Sequence, residues 1–153
     1  MSNIFAIDPG NVKSAYVVVD DNLKPLHFGI VENEELLEII TNFKKCDYAI
    51  EMIASYGMPV GKEVFETCLW IGRFYQVISM FDKTPTFIYR MDEKMAICQN
   101  MRARDSNIRQ ALIDRFGIVG TKKNKGWFYG FKKDIWQAYA VAVTYHDKEL
   151  ENG

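Results

Sequence analysis

The segment from Ile4 to Gly10 constrains the fold most, because a continuous apolar run there leads an aspartate straight into a turn. An apolar run that ends in turn residues is typical of a central strand covered on both faces. Pro9 disfavours a helical Asp8, while Gly10 tolerates positive φ and a close backbone approach. The sequence therefore predicts a buried strand with the Asp8 carboxylate at its tip. Turn chemistry alone would also explain Asp-Pro-Gly, so the role of Asp8 depends on the rest of the chain.

Length and composition predict one cytoplasmic domain spanning residues 1–153. The composition is that of an ordinary globular protein. The sequence shows no basic-then-apolar leader and no apolar run of about 20 residues, so we expect neither export nor a membrane span. The three cysteines lie far apart without metal-ligand spacing, which favours reduced thiols and a cytoplasmic location.

The net charge of −1 conceals a strong asymmetry. Residues 83–133 carry twelve Lys and Arg against four acids, whereas the rest of the chain is acidic. A basic block of this kind favours a polyanionic partner, although solvated helix faces alone would produce part of it.

The order of the predicted elements indicates a mixed α/β sheet flanked by helices. The elements are strands 4–8, 15–19 and 25–30, a helix capped by Asn33, strand 48–53, helix 62–81, strand 86–89, helices 92–101 and 105–116 (the second capped by Asp105 or Ser106), a loop, and helix 133–146. Right-handed crossovers after the third strand give a five-stranded sheet of order 3-2-1-4-5 with strand 2 antiparallel.

That order places the ends of the first and fourth strands side by side, which makes Asp8 and Glu51 neighbours. Glu51 interrupts an apolar strand, and a buried charge is costly unless it is paired or binds a cation. Asp134 lies in the first turn of the last helix and can face both acids, although an acid there also suits the helix dipole. Clustered carboxylates without His or Cys favour Mg²⁺ or Mn²⁺, and two such ions can hydrolyse a phosphodiester.

Three motifs in this order resemble a known family. Ile7-Asp8-Pro9-Gly10, Ala49-Ile50-Glu51 and the segment from Asp134 to Thr144 are similar to the RuvC-type Holliday-junction resolvases of the RNase H-like superfamily. The resemblance covers nearly the whole chain. It implies an RNase H-like fold, catalytic and metal-binding roles for Asp8, Glu51 and Asp134, two Mg²⁺ ions per active site, and a homodimer that nicks four-way DNA. The family's small phage-encoded members suggest a phage or mobile-element origin.

The sequence departs from the family pattern at two positions. The family has an acid three residues after Asp134, where this chain has Gln137, whose carbonyl can ligate Mg²⁺ but brings no charge. That change leaves three alternatives open: weaker metal affinity, a different supporting acid, or lost activity. The family often has an aromatic residue shortly after the strand-four acid; this chain has Ala54 there, and Tyr56 is the nearest candidate to stack on DNA, unless it only packs its loop.

We therefore predict a metal-dependent, structure-selective DNA endonuclease in a single RNase H-like nuclease domain. Its predicted metal ligands are Asp8, Glu51, Asp134 and Gln137. The predicted phosphate contacts are Arg102, Arg104, Arg109, Lys122, Lys123, Lys125, Lys132 and Lys133. A non-cleaving protein that binds branched nucleic acid is the main alternative, because Gln137 permits it. A nucleotide-binding enzyme of the actin and sugar-kinase type is another, but the chain lacks the further Gly-rich phosphate loops of that class.

Two segments carry further expectations. The helix 62–81 has a wider apolar surface than one core contact uses, which predicts a two-fold partner unless the core buries it all. The loop from Thr121 to Phe131 places three lysines ahead of Trp127, Phe128 and Tyr129, and its glycines predict weak packing until DNA orders it. The alternative is that Trp127 and Phe128 pin this loop to the core.

Overall fold

The computed structural model describes residues 2–152 and contains a five-stranded sheet with helices on both faces. The strands are β1 (Ile4–Asp8), β2 (Lys13–Val19), β3 (Pro25–Glu32), β4 (Asp47–Met52) and β5 (Thr86–Tyr89). The α-helices are α1 (Asn33–Ile40), α2 (Lys62–Ser79), α3 (Arg90–Glu93), α4 (Asp105–Phe116) and α5 (Ile135–Asn152). A π-helical segment, Lys94–Cys98, continues α3. None of the helices between residues 2 and 152 is long and apolar enough to cross a membrane.

The strand order is β3-β2-β1-β4-β5, which confirms the predicted mixed α/β sheet. β2 runs antiparallel to β1 and β3, whereas β4 runs parallel to β1 and β5. Short turns suffice for the antiparallel strands, while α1 and α2 supply the crossovers that parallel strands require. The carboxyl ends of β1, β4 and β5 consequently lie at the same edge of the sheet.

The sheet separates two hydrophobic cores, and β1 contributes to both. Ile4 and Ala6 face the core beneath α4 and α5, whereas Phe5 and Ile7 face the core beneath α1 and α2. All four side chains are fully buried. This double burial explains why the strand is a continuous apolar run rather than an alternating one.

The last helix, α5, packs across the sheet. Its predicted core face is confirmed, because Ile135, Ala138, Tyr139, Ala142 and Val143 are all buried. The helix begins two residues later than predicted and continues to Asn152 rather than ending at 146. Its neighbouring faces are buried too, since α4 and the segment after it cover the side of α5 away from the sheet.

Two predictions around the third and fourth helices were wrong in detail. The predicted helix 92–101 begins earlier, at Arg90, and ends as a π-helix at Cys98, followed by Gln99 in the left-handed conformation. Helix α4 has the predicted bounds, but its N-cap is Arg104 rather than Asp105 or Ser106. The Arg104 amide donates to Asn107 Oδ1 at 2.9 Å, and the Asp105 carboxylate instead pairs with Arg90.

The turn after β1 is held by side chains from two other elements. Gly10 N donates to Ser14 Oγ at 3.1 Å, Ser14 Oγ donates to Asn33 Oδ1 at 2.5 Å, and Asn33 Nδ2 donates to Gly10 O at 2.9 Å. Asn33 was predicted to cap α1, but it is the first residue of the helix and ties it to this turn. Gly10 is not left-handed; it is required because a Cβ there would lie 2.2 Å from the Lys13 carbonyl oxygen.

We expect Gly10→Ala to lower the free energy of unfolding by about 1–3 kcal/mol, because the backbone must move to relieve that contact. Gly72→Ala is the matched control, since the structure places no described atom within 4 Å of an added Cβ there. Because Ala is the better helix former, the control should gain about 0.5–1 kcal/mol in α2. Urea denaturation compares the two variants, and a Gly10→Ala protein as stable as wild type would contradict the steric argument.

Candidate active site

Asp8 and Glu51 meet at the edge where β1 and β4 end. Ile7 pairs with Ile50 in parallel register, so the residues that follow them are neighbours, as the sequence predicted. Burial raises the pKa of the Asp8 carboxyl well above its ordinary value, and the charges of Glu51 and Asp134 raise it further, whereas Arg90 opposes the shift. Asp8 is therefore in an electrostatic cluster that a cation would relieve.

Asp134 immediately precedes α5, one position before the first turn in which it was predicted. Its carbonyl accepts the Ala138 amide at 3.0 Å, and its side chain is exposed. Lys133 adopts a left-handed conformation, with φ of 48°, and turns the chain into the helix. Because its charge raises the pKa of Asp8, Asp134 belongs to the same electrostatic cluster.

Gln137 bridges two carboxyl groups in this cluster. Its side-chain amide donates a hydrogen bond to Glu51 Oε2 at 2.5 Å and a second one to Glu93 Oε1. Gln137 lies in the first turn of α5, whereas Glu51 lies in β4 and Glu93 ends α3. The amide thus joins a helix on one face of the sheet to the edge that carries the acids.

Glu93 is the most enclosed of these acids, with a fully buried side chain. Burial raises the pKa of Glu93 to about 11, helped by the neighbouring Glu51 and Asp8 carboxyls and partly offset by Arg90. Arg90 Nη1 lies 3.8 Å from Glu93 Oε1. The other oxygen, Oε2, is buried without a hydrogen-bond partner among residues 2–152.

Sequence reasoning missed Glu93 and Arg90. Glu93 had been assigned only to the predicted helix 92–101 and Arg90 only to the basic block 83–133, because helical periodicity does not show which acid turns inward. The signal that could have found them is topological. β5 is parallel to β4, so α3, which begins directly after β5, starts at the same edge as Glu51 and Asp8.

Two of the predicted phosphate-contact residues, Arg109 and Lys133, line the same cleft as Asp134. A cleft of about 140 Å³ is lined by Asp105, Ile108, Arg109, Lys133, Asp134, Trp136 and Gln137. The Arg109 guanidinium lies 5.3 Å from the centre of the Trp136 ring. A larger cavity of about 660 Å³ is lined by Ser2, Asn3 and residues 41–46, at the opposite end of β1 and β4, and contains none of the predicted site residues.

The remaining predicted DNA contacts are exposed. They are Arg102, Arg104, Lys122, Lys123, Lys125, Lys132 and Tyr56. Lys125 Nζ lies 5.1 Å from the centre of the Tyr129 ring. Tyr56, 66% exposed and in a left-handed conformation, lies in the loop after β4, so its predicted stacking on DNA stays a prediction.

The loop from Thr121 to Phe131 is packed, so the prediction of weak packing was wrong. Phe128 is fully buried and contacts the rings of Phe116 and Tyr139 edge-on. The Trp127 ring stacks on Phe116, and its Nε1 donates to Tyr139 Oη at 3.1 Å. The aromatic residues therefore pin the loop to α5, as the alternative had it.

The divalent-metal site implied by the resemblance fits the chemistry of these residues. All four carboxylates offer hard oxygen ligands, and the unpartnered Glu93 Oε2 is a buried acceptor with unused capacity in the part of the chain described. As placed, however, no three His, Cys, Asp or Glu side chains between residues 2 and 152 converge closely enough to hold a metal ion. Metal binding here would therefore require the carboxylates to move from these positions.

The order of the elements and of the strands is that of an RNase H-like α/β fold. Among solved structures the chain is similar to T. thermophilus RuvC in complex with Holliday junction substrate, with a TM-score of 0.77 and 16% identity over 99% of this chain and 97% of that one. It is also similar to a second Thermus thermophilus RuvC structure, with a TM-score of 0.72 and 14% identity over 97% and 96% of the two chains. Neither a family model nor a curated protein matches the sequence. The chain thus has the fold of RuvC, which confirms the predicted resemblance at the level of fold.

Proposed function

We propose that this protein is a divalent-metal-dependent endonuclease that nicks Holliday junctions or related branched DNA. The observation that supports this most is that the charges of Glu51 and Asp134 both act on Asp8 at the end of β1, in a chain whose fold matches RuvC over 99% of its length. One of the similar RuvC structures holds a Holliday junction substrate, which supports branched DNA as the substrate class.

In this proposal Asp8, Glu51 and Asp134 hold two Mg²⁺ ions, or Mn²⁺ in their place, and Gln137 is a further candidate through its carbonyl oxygen. Such ions activate a water molecule and stabilise the leaving oxygen of a phosphodiester. The protein's own groups position these ligands: the Pro9–Gly10 turn fixes the backbone beyond Asp8, and the Gln137 amide restrains the Glu51 carboxylate.

The basic residues supply the phosphate contacts of the proposal. Arg109 and Lys133 share a cleft with Asp134, which supports a role for them in binding phosphates next to the scissile one. Contacts of this kind fix the position of DNA without reading its sequence. We assign the same role to Arg102, Arg104, Lys122, Lys123, Lys125 and Lys132, which extend the basic surface along the chain.

We further propose a homodimer through α2. The helix buries Thr67, Ile71, Phe74 and Ile78 against the sheet. On its other side Phe65, Leu69 and Met80 are exposed by 61%, 71% and 73%. A second copy related by a two-fold axis would cover this apolar stripe with the same stripe.

We expect the wild-type protein to be a dimer at micromolar concentration and Leu69→Glu to be a monomer, because a charge cannot be buried at the two-fold contact. Leu150→Glu is the matched control, since Leu150 is also exposed but lies near the end of α5. Light scattering without DNA reads the mass of each. A monomeric wild type would contradict the proposed dimer. It would show that the contacts of α2 within one subunit are sufficient.

A non-cleaving junction-binding protein is the second candidate. It is favoured by the Gln137 amide, which occupies Glu51 Oε2, and by the lack of three convergent ligands within the described residues. Such a protein would bind four-way DNA but would leave its strands intact in Mg²⁺ and in Mn²⁺.

A nicking assay on three DNA shapes tests the proposed function. Four-way, forked and linear duplexes share one sequence and are incubated with the protein and Mg²⁺. We expect nicks in the four-way or forked DNA and far fewer in the linear duplex. Equal cleavage of all three shapes would contradict structure selectivity, and binding without cleavage would favour the second candidate.

A further inference from the structure

We propose that Glu93 is the fourth acid of this metal site and that Gln137 is a positioning residue that holds Glu93 against Glu51. This inference rests on the proposed function and deepens it. Helix α5 has Gln137 where the family has an acid. The proposal assigns the role of that acid to Glu93 in α3, the short helix that follows β5.

The fold brings Glu93 to the site by a different path from the three predicted acids. Residue Glu51 pairs with Ile88 of β5, and α3 begins two residues later at Arg90. Glu93 closes α3, just before the helix widens into its π-helical segment. The side chain points inward, fully buried, and its carboxyl lies beside Glu51.

The amide at position 137 suits this arrangement better than a carboxylate would. A glutamine side chain carries two N–H donors on one nitrogen, and Gln137 directs them to Glu51 and to Glu93. An acid at 137 would have no donor for either group and would repel both. Glu93 and Gln137 are therefore complementary: the carboxyl group lies on α3 and the amide donor lies on α5.

An independent observation indicates that a carboxyl oxygen of Glu93 is free to contact a ligand. Its Oε2 is buried and lacks a hydrogen-bond partner within the described part of the chain, although buried acceptors are nearly always paired. Arg90 does not satisfy this atom, because its guanidinium lies nearest Oε1 and pairs with Asp105. A divalent cation would supply the missing partner once the carboxyl groups of Glu93, Glu51 and Asp8 move together, because they do not converge closely enough as placed within residues 2–152.

Metal binding without DNA tests the proposal separately from catalysis. Calorimetric titration with Mn²⁺ compares wild type, Glu93→Gln, Asp8→Asn and the exposed control Glu38→Gln. We expect Glu93→Gln to weaken Mn²⁺ binding by about tenfold or more, as loss of a ligand or its support typically does. Glu38→Gln should bind as wild type does, because Glu38 is exposed on α1 and does not contribute to the raised pKa of Asp8 or of Glu93.

The exchanged double variant Glu93→Gln with Gln137→Glu provides a second test. The double variant still has one acid and one amide at these two positions, so the number of charged oxygen ligands is unchanged. Its Mn²⁺ affinity should therefore return to within about threefold of wild type. Circular dichroism in EDTA establishes that each variant is folded. If Glu93→Gln does not fold, the exchanged variant alone decides, and a folded exchanged variant that has lost Mn²⁺ binding overturns the proposal.

The outcomes separate the two claims. Unchanged Mn²⁺ affinity in Glu93→Gln, with lost affinity in Asp8→Asn, overturns the role of Glu93 and leaves the proposed function standing. A wild type that binds no Mn²⁺, with Asp8→Asn indistinguishable from it, contradicts the proposed function itself and the role of Glu93 with it.

Discussion

Asp8→Asn is expected to abolish DNA cleavage, with a loss of rate on the order of a thousandfold or more, as removal of an essential catalytic group causes. The asparagine keeps the shape of the side chain but removes the charge that a metal ion at this edge requires. Glu51→Gln and Asp134→Asn should lose activity in the same way. Single-turnover nicking of a four-way junction in Mg²⁺ measures the rate.

Binding of the junction should survive these substitutions or become stronger. The carboxylates repel the phosphates of DNA when no metal neutralises them, so removing one negative charge lessens the repulsion. Asp82→Asn is the matched control, because Asp82 is exposed in the turn after α2 and has a left-handed conformation that asparagine also tolerates. A variant of Asp8, Glu51 or Asp134 that cleaves as fast as Asp82→Asn would remove that residue from the site.

Replacing Lys122, Lys123 and Lys125 together by Ala should weaken binding to every DNA shape. The aromatic anchors Trp127 and Phe128 hold this loop on α5, so the exposed lysines are presented from a packed frame. Each phosphate contact that is lost should flatten the dependence of log affinity on log salt by roughly one unit. Fluorescence anisotropy at several salt concentrations measures the slope.

The pair Lys44→Ala and Lys45→Ala is the control for that measurement. These lysines are also exposed, but they lie ahead of β4, at the end of the sheet opposite the acids. Their loss should leave the slope unchanged. If the loop variant also keeps the wild-type slope, the loop lies outside the DNA footprint and its lysines are a solvated surface.

The sheet could be predicted from the sequence because its signals are local. The apolar run of β1, the short turns around β2 and the long connections around α1 and α2 leave few right-handed topologies. The adjacency of Asp8 and Glu51 follows from that topology, as does the approach of Asp134 at the start of α5. The observed register places Asp8 beside Glu51, and the charge of Asp134 acts on Asp8 from the start of α5.

What could not be predicted depends on packing between distant segments. The burial of Glu93 and its bridge through Gln137 join residues 44 positions apart, and no periodicity in either helix shows it. The loop before α5 looked mobile from its lysines and glycines, yet its stability comes from Phe116 and Tyr139, which belong to other elements. The cap of α4 was also misassigned, because Asp105 is engaged by Arg90 from α3.

The most direct test of the account is a Mg²⁺ titration of nicking on a four-way DNA junction, with the wild type and Asp8→Asn measured side by side. We expect the wild type to nick the junction in Mg²⁺ and not in EDTA, while Asp8→Asn binds the junction and leaves it intact at every Mg²⁺ concentration. Nicking that persists in EDTA, or that Asp8→Asn retains at the wild-type rate, would contradict it.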